Sequence, residues 1–268
     1  MTNFTAVLRR HQVPLFFVLA LGLTWATFVP WYFSGGEAIP WFTFGPMVAG
    51  FIAAFLTGGL KAVGAILASM FRWRVKPIWY VVAIGFPIAA QLAAISLNTS
   101  MGSARPAWGN IPSLSEILPM IALFAVFSGP LGEEPGWRGF AVPRLLARHS
   151  AFTASLILGI VWAAWHLPLA LVGDLTAYGT VSVLLAAFVF TWLYQNTGGS
   201  VLLPILMHAA HQNSVRYLGK VFTDGDLVQQ QWIAAGIWLA VVVAILLVQG
   251  LSSFGCRAET RLQLVPSA

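Results

Sequence analysis

A chain of 268 residues that is 59% hydrophobic and 8% charged is not a soluble domain, since soluble domains carry about 25% charged residues. So much apolar surface needs lipid around it, and the composition predicts an all-α polytopic membrane protein. The formal charge of +6, from 14 basic and 8 acidic residues, then reads as loop charge on the cytoplasmic side. No interleaved basic and aromatic groove supports nucleic-acid binding.

Hydropathy predicts eight spans, each near the roughly 20 residues a bilayer requires, at about 13–33, 39–58, 77–98, 114–134, 152–172, 180–197, 200–218 and 230–251. The first, within "MTNFTAVLRRHQVPLFFVLALGLTWATFVPWYF", is too long for a signal-peptide core and lacks a small-residue cleavage site, so it is expected to stay. "GGLKAVGAILASMFRWRVKP", after the second span, reads as an interfacial amphipathic helix ending in basic residues, and "VPRLLARHS", after the fourth, has the same character. "TGG" at 197–199 predicts a tight turn. Trp31, Trp41, Trp79 and Trp108 fall near predicted interfaces and read as belt anchors. Cys256 is the single cysteine, so no intramolecular disulfide can form. No repeat or second domain is visible. The expected organisation is one transmembrane domain over 1–268 with a polar cytoplasmic tail at 256–268.

Loop charge orients these spans. With the N-terminus inside, the inner segments hold Arg9, Arg10, Lys61, Arg72, Arg74, Lys76, Arg138, Arg144, Arg148, Arg257 and Arg261. The outer segments hold only Arg105, Arg216 and Lys220. Most acids outside the spans lie on the outer side: Glu37, Glu116, Asp174, Asp224 and Asp226. This positive-inside bias predicts a plasma-membrane protein with both termini cytoplasmic.

Ionisable side chains within spans cost about 2.5–3.5 kcal/mol each on insertion scales, and those retained face a bundle interior or a wet cavity. Here they are Glu133, Glu134, His166, His208 and His211. In "GPLGEEPGWRGF" the two glutamates point about 100° apart on a helix and cannot share one job. Glu134 and Arg138, four apart, are set to pair. Pro135 lacks an N–H and perturbs the helix at this point. Glu133 is then left to face a cavity. In "WAAWHLPLA", Trp162 lies four before His166 on the same face and can wall the imidazole. In "LPILMHAAHQNS", His208 and His211 share a face, and Gln212 reaches the same cavity. Asn213 points away from it unless the helix bulges. Depth poses a problem. His166 would lie about 21 Å along its span, whereas Glu133 sits near the inner end of span four. Either span four continues past Glu134 or the following loop dips inward.

The order "EEPGWRG", an aromatic residue four before a histidine, and a histidine in a late span resembles the CAAX-protease and bacteriocin-processing (CPBP, or Abi) family of intramembrane endopeptidases. That family includes the type II CAAX prenyl endopeptidases. The resemblance covers roughly 115–215. Two positions depart from the usual pattern: Trp162 where Phe is usual, and Gln212, followed by Asn213, where Asn is usual. The resemblance implies that Glu133 activates a water for attack on a peptide bond and that His166 orients the glutamate or the water. It further implies that His208 with Gln212 or Asn213 stabilises the oxyanion, supported by Glu134 and Arg138. Glu133, His166 and His208 also form a His₂Glu set of the kind that holds a catalytic zinc or another divalent metal. The implied partners are the lipid bilayer and a membrane-associated protein or peptide substrate. Two other readings stay open: a proton- or cation-coupled transporter, and a non-catalytic bacteriocin-immunity or scaffold protein of the same fold.

Overall fold

A computed structural model describes residues 3–35, 41–127 and 129–253; Glu37, Cys256, Arg257, Arg261 and the expected 256–268 tail lie outside them. Every regular element among the described residues is a helix. A short α1 (Asn3–Arg10) leads into α2 (Gln12–Phe33), α3 (Gly45–Met70), α4 (Ile78–Ser100) and α5 (Leu114–Phe127). The glutamate motif follows as α6 (Pro130–Glu134), a π-helical turn (Pro135–Ala141) and α7 (Val142–Leu146). Then come α8 (Ala151–Trp165), α9 (Leu167–Leu171), α10 (Ala177–Asn196), α11 (Leu202–Leu218) and α12 (Asp224–Ser253).

Among the described residues, six stretches are long and apolar enough to cross a bilayer: Gln12–Phe33, Trp41–Met70, Ile78–Ser100, Leu114–Leu146, Ala177–Asn196 and Asp224–Gly250. The chain is an all-α polytopic membrane protein. The regions expected as spans five and seven form the shorter helices α8 and α11, of 15 and 17 residues. The fifth stops early because Pro168 has no N–H to continue the ladder, and His166 caps α8 with φ −81° and ψ 0°. Ser150 starts that helix, its hydroxyl accepting from the Thr153 N–H at 3.1 Å.

The segment after span two is helical, set off from the first part of α3 by a break at Gly59, and buries Ile66. One sequence expectation changes. "VPRLLARHS" is not an interfacial helix: Val142, Pro143, Leu145 and Leu146 are buried, and α7 extends the fourth span. The backbone thus resolves the depth problem. Glu133 lies thirteen residues before Leu146, and His166 lies fifteen after Ala151, or about 20 and 22 Å at 1.5 Å per residue.

The motif segment is packed tightly against α3. A Cβ on Gly136 would collide with the Pro46 carbonyl, so only glycine allows this approach. Around it, α2 packs on α3, α4 on α11 and α12, and α10 on α8 and α12.

The bundle has two unlike ends. At one, Arg9 Nε donates to Thr57 O (2.8 Å), Arg148 Nη1 to Arg10 O (3.2 Å), Arg144 Nε to Gln12 Oε1 (2.7 Å) and Arg72 Nη1 to Gly198 O (2.6 Å). The "TGG" turn falls there, as expected. At the other end, Asn98 Nδ2 donates to Asp226 O (2.8 Å) and Asn110 Nδ2 to Lys220 O (3.1 Å). Trp41 and Trp108 are exposed. Trp31 and Trp79 instead pack on other rings, Phe42 and Trp192, at 5.0 and 5.3 Å between centroids.

Candidate active site

The π-helical turn shapes the centre of the site. "PGWRG" follows two glutamates, and Pro135 cannot donate to the ladder of a regular helix. The wider turn that results keeps Glu134 and Arg138 on one side. Both are fully buried. Arg138 Nη1 lies 3.0 Å from each Glu134 oxygen, as the spacing anticipated. On its other side Glu134 Oε1 lies 2.8 Å from His208 Nδ1. A carboxylate accepts, so Nδ1 carries the hydrogen and Nε2 is the nitrogen left over.

Arg138 is held by rings as well as by charge. Its Cζ sits 4.3 Å from the Trp162 ring centroid and 4.8 Å from that of Phe190. Its Nε and Nη2 have no hydrogen-bond partner among the described residues. In a desolvated site each such cation–π contact contributes up to about 2 kcal/mol. Phe190 went unnoticed in the sequence because an aromatic residue in an apolar span carries no signal of its own.

Glu133 is 3% exposed and has a different partner. Its Oε2 accepts from Trp162 Nε1 at 2.6 Å. Its Oε1 lies against Gly129, where a Cβ would stand 2.5 Å from that oxygen and 3.8 Å from His208 Cε1. Gly129 has φ +131°, a region that L side chains avoid. The glycine therefore lets the carboxylate and the imidazole approach one small space. The sequence pointed to Trp162 as a wall for His166, and its indole N–H as a partner of Glu133 is an addition from the structure.

A cavity of about 190 Å³ lies beyond Trp162. Trp162, His166, His208, His211, Gln212 and Phe190 are among its walls. Glu133 is not, a departure from the expectation that it would face the cavity directly: the indole stands between. His166 Nδ1 lies 2.8 Å from Trp162 O, so this ring too donates through Nδ1 and leaves Nε2 for the cavity it lines. His211 packs on Trp238 with centroids 4.8 Å apart. Gln212 reaches the cavity. Asn213 does not, because its Nδ2 donates to Ala209 O of its own helix at 2.8 Å. The structure thus gathers Glu133, Glu134, Arg138 and His208 into one cluster, sets His166 and Gln212 on the adjoining cavity, and leaves Asn213 aside.

The three residues considered as metal ligands do not assemble. Among the described residues, no three His, Cys, Asp or Glu side chains gather closely enough to hold a metal ion. One oxygen of Glu133 is already occupied by the indole N–H.

Residues 115–213 match the family described as type II CAAX prenyl endopeptidase Rce1-like. This segment is similar to that family. It covers the motif, both cavity histidines implied by the resemblance, and Gln212. Over 135 residues the chain is 33% identical to "CAAX prenyl protease 2" of Methanococcus maripaludis, an alignment covering 45% of this chain and 49% of that protein. The chain thus spans about half the length of the curated relative it matches.

Proposed function

We propose that the protein is a membrane-embedded endopeptidase that hydrolyses a peptide bond of a membrane-associated protein or peptide. The hydrolytic core lies within about 115–215 of a single transmembrane domain. The observation that carries this reading is the isolation of Glu133: a buried carboxylate held at one oxygen by Trp162, with the other beside Gly129 and His208. Such a group is oriented to take a proton from water.

In the proposed sequence Glu133 removes a proton from a water as that water attacks the peptide carbonyl. The tetrahedral oxyanion is met by N–H donors. The imidazolium form of His208 supplies one through Nε2 while its Nδ1 donates to Glu134, and the Gln212 amide supplies another. Glu133 then gives its proton to the departing amine, and the C–N bond breaks. His166 orients the water from the opposite wall through Nε2. Arg138 offsets the charge of the two glutamates. No step is routed through a metal, because the donor set is not assembled. The family match of 115–213 supports the endopeptidase class, and the basic end of the bundle supports cytoplasmic termini in the plasma membrane.

The test compares short peptides in membranes of cells carrying the native protein or Glu133→Gln. The amide still accepts from Trp162 but cannot act as a base. Loss of a general base lowers turnover by about 10²–10⁴-fold, so cleavage products should vanish while the protein level holds. Unchanged products with Glu133→Gln would favour the transporter or scaffold readings.

A further inference from the structure

His166 stands where α8 breaks. Its φ of −81° and ψ of 0° cap that helix, and α9 restarts at Leu167 for only five residues. Its Nδ1 lies 2.8 Å from Trp162 O, one turn back. Helix ends fray, so a ring at such a break needs support from elsewhere in the bundle.

That support comes from α2, through Trp165. Neighbours on a helix point about 100° apart, and Trp165 meets α2 while His166 lines the inner cavity. Trp165 Nε1 donates to Thr24 Oγ1 at 2.7 Å, and Thr24 Oγ1 donates in turn to Phe42 O at 3.1 Å. The next residue of α2 holds the backbone: Trp25 Nε1 donates to Trp165 O at 3.2 Å. Thr24 and Trp165 are both buried. A Cβ on Gly45 would collide with Thr24 Oγ1, so glycine at that position leaves the hydroxyl its place. The Trp165 ring stands at 90° to the His166 ring with centroids 4.6 Å apart. It also meets Trp137 of the glutamate motif edge-on, at 6.3 Å between centroids.

Indole bonding is selective in this chain. The N–H groups of Trp137, Trp192 and Trp238 are buried without a hydrogen-bond partner among the described residues. Those of Trp162 and Trp165, the two indoles packed against the His166 ring, are both bonded. Burial alone would ask for all five to be paired. The pairing falls instead on the two beside the histidine. Thr24 lies on α2, outside the segment similar to known endopeptidases.

We propose that Thr24 and Trp165 are positioning residues for His166, a bonded pair that joins α2 to the end of α8 and fixes the imidazole at the cavity wall. The proposal rests on the reading of the inner site as hydrolytic. Neither residue lines the cavity, so both act through His166. A functional side chain must be held within about 0.5 Å of its productive place, and packing against locked neighbours does this.

The test uses the full chain in proteoliposomes with a quenched fluorogenic peptide that carries a hydrophobic anchor. Thr24→Val keeps the shape and removes the hydroxyl; Trp165→Phe keeps a ring and removes the N–H. Each should lower kcat about tenfold with KM within about twofold, since a 1 Å misplacement costs up to about 10²-fold. The double variant should fall no further than either single one, because both remove the same bond. Thr24→Ser, which keeps the hydroxyl, should stay within about threefold of the native kcat. A second readout needs no activity: with ¹³C-labelled histidine, the His166 ring signal is identified by its absence in His166→Gln. It should move in Thr24→Val, as the Trp165 ring loosens, and stay in place in Thr24→Ser. Unchanged kcat in both single variants, a rise in KM alone, additive losses, an equal loss in Thr24→Ser or an unmoved histidine signal overturns the proposal. Should Thr24→Val fail to fold, Trp165→Phe and Thr24→Ser carry the kinetic test. If the native protein cuts no peptide, the hydrolytic reading has failed, and the histidine signal still reports separately whether Thr24 sets the ring.

Discussion

On one side of Trp162 lie Glu134 and Arg138, packed dry and joined at 3.0 Å. On the other lie His166, His211 and Gln212, half-buried around a cavity. His208 belongs to both, bound to Glu134 through Nδ1 and bordering the cavity. The two sides use polar groups differently. The dry side spends its hydrogen bonds internally, so its members fix geometry. The wet side lines a cavity with imidazole rings and Gln212, as a site for water and a peptide requires. Glu133 sits at the boundary, with Oε2 held by the indole N–H and Oε1 beside Gly129 and His208.

The comparison predicts its largest effect on the dry side. Arg138→Ala leaves two buried carboxylates without their cation and removes the packing between Trp162 and Phe190. Breaking a buried pair in this way costs about 3–5 kcal/mol. The variant should lose most of its folded protein in detergent, as a marked fall in thermal midpoint or recovery on gel filtration. A stable Arg138→Ala protein would mean that the glutamates are hydrated, and the division into dry and wet sides would fail.

Trp162→Phe sharpens the boundary itself. The ring stays over Arg138, but the N–H that holds Glu133 Oε2 is gone. A hydrogen bond to a charged group contributes about 1.5–3 kcal/mol. If that bond orients the base, kcat should fall by roughly tenfold with the thermal midpoint little changed, and Trp162→Ala should fail in both respects. Equal activity of Trp162→Phe would show that Gly129 and His208 alone position the carboxylate.

The sequence carried the helical class and the clustering of acids and imidazoles, because both follow from the cost of burying polar groups in hydrocarbon. Spacing alone also gave the Glu134–Arg138 pair, since four residues bring side chains together on a helix. Other features were not legible. Where span four ends depends on Pro135 widening the turn without stopping the chain, and hydropathy cannot tell a kink from a terminus. The indole bond to Glu133 joins residues 29 apart, so no local pattern encodes it. Gly136 against Pro46 is likewise a long-range approach, visible only once α3 is in place.

The smallest predicted effect falls on Asn213, one of two adjacent amides on α11. Sequence alone sets Gln212 towards the cavity and keeps Asn213 open as the oxyanion donor only if the helix bulges. In the folded chain Gln212 borders the cavity, whereas Asn213 is buried and bonded to its own helix. Asn213→Ala should therefore keep turnover within about twofold and cost at most the roughly 1 kcal/mol of one neutral hydrogen bond. Gln212→Ala should lower kcat by about 10²-fold, the loss of one oxyanion donor. Gln212→Asn separates reach from chemistry: it keeps the amide and shortens the side chain by one methylene. Activity retained in Gln212→Asn but lost in Gln212→Ala assigns the role to the amide itself, while the reverse pattern at Asn213 would require α11 to bulge during the reaction.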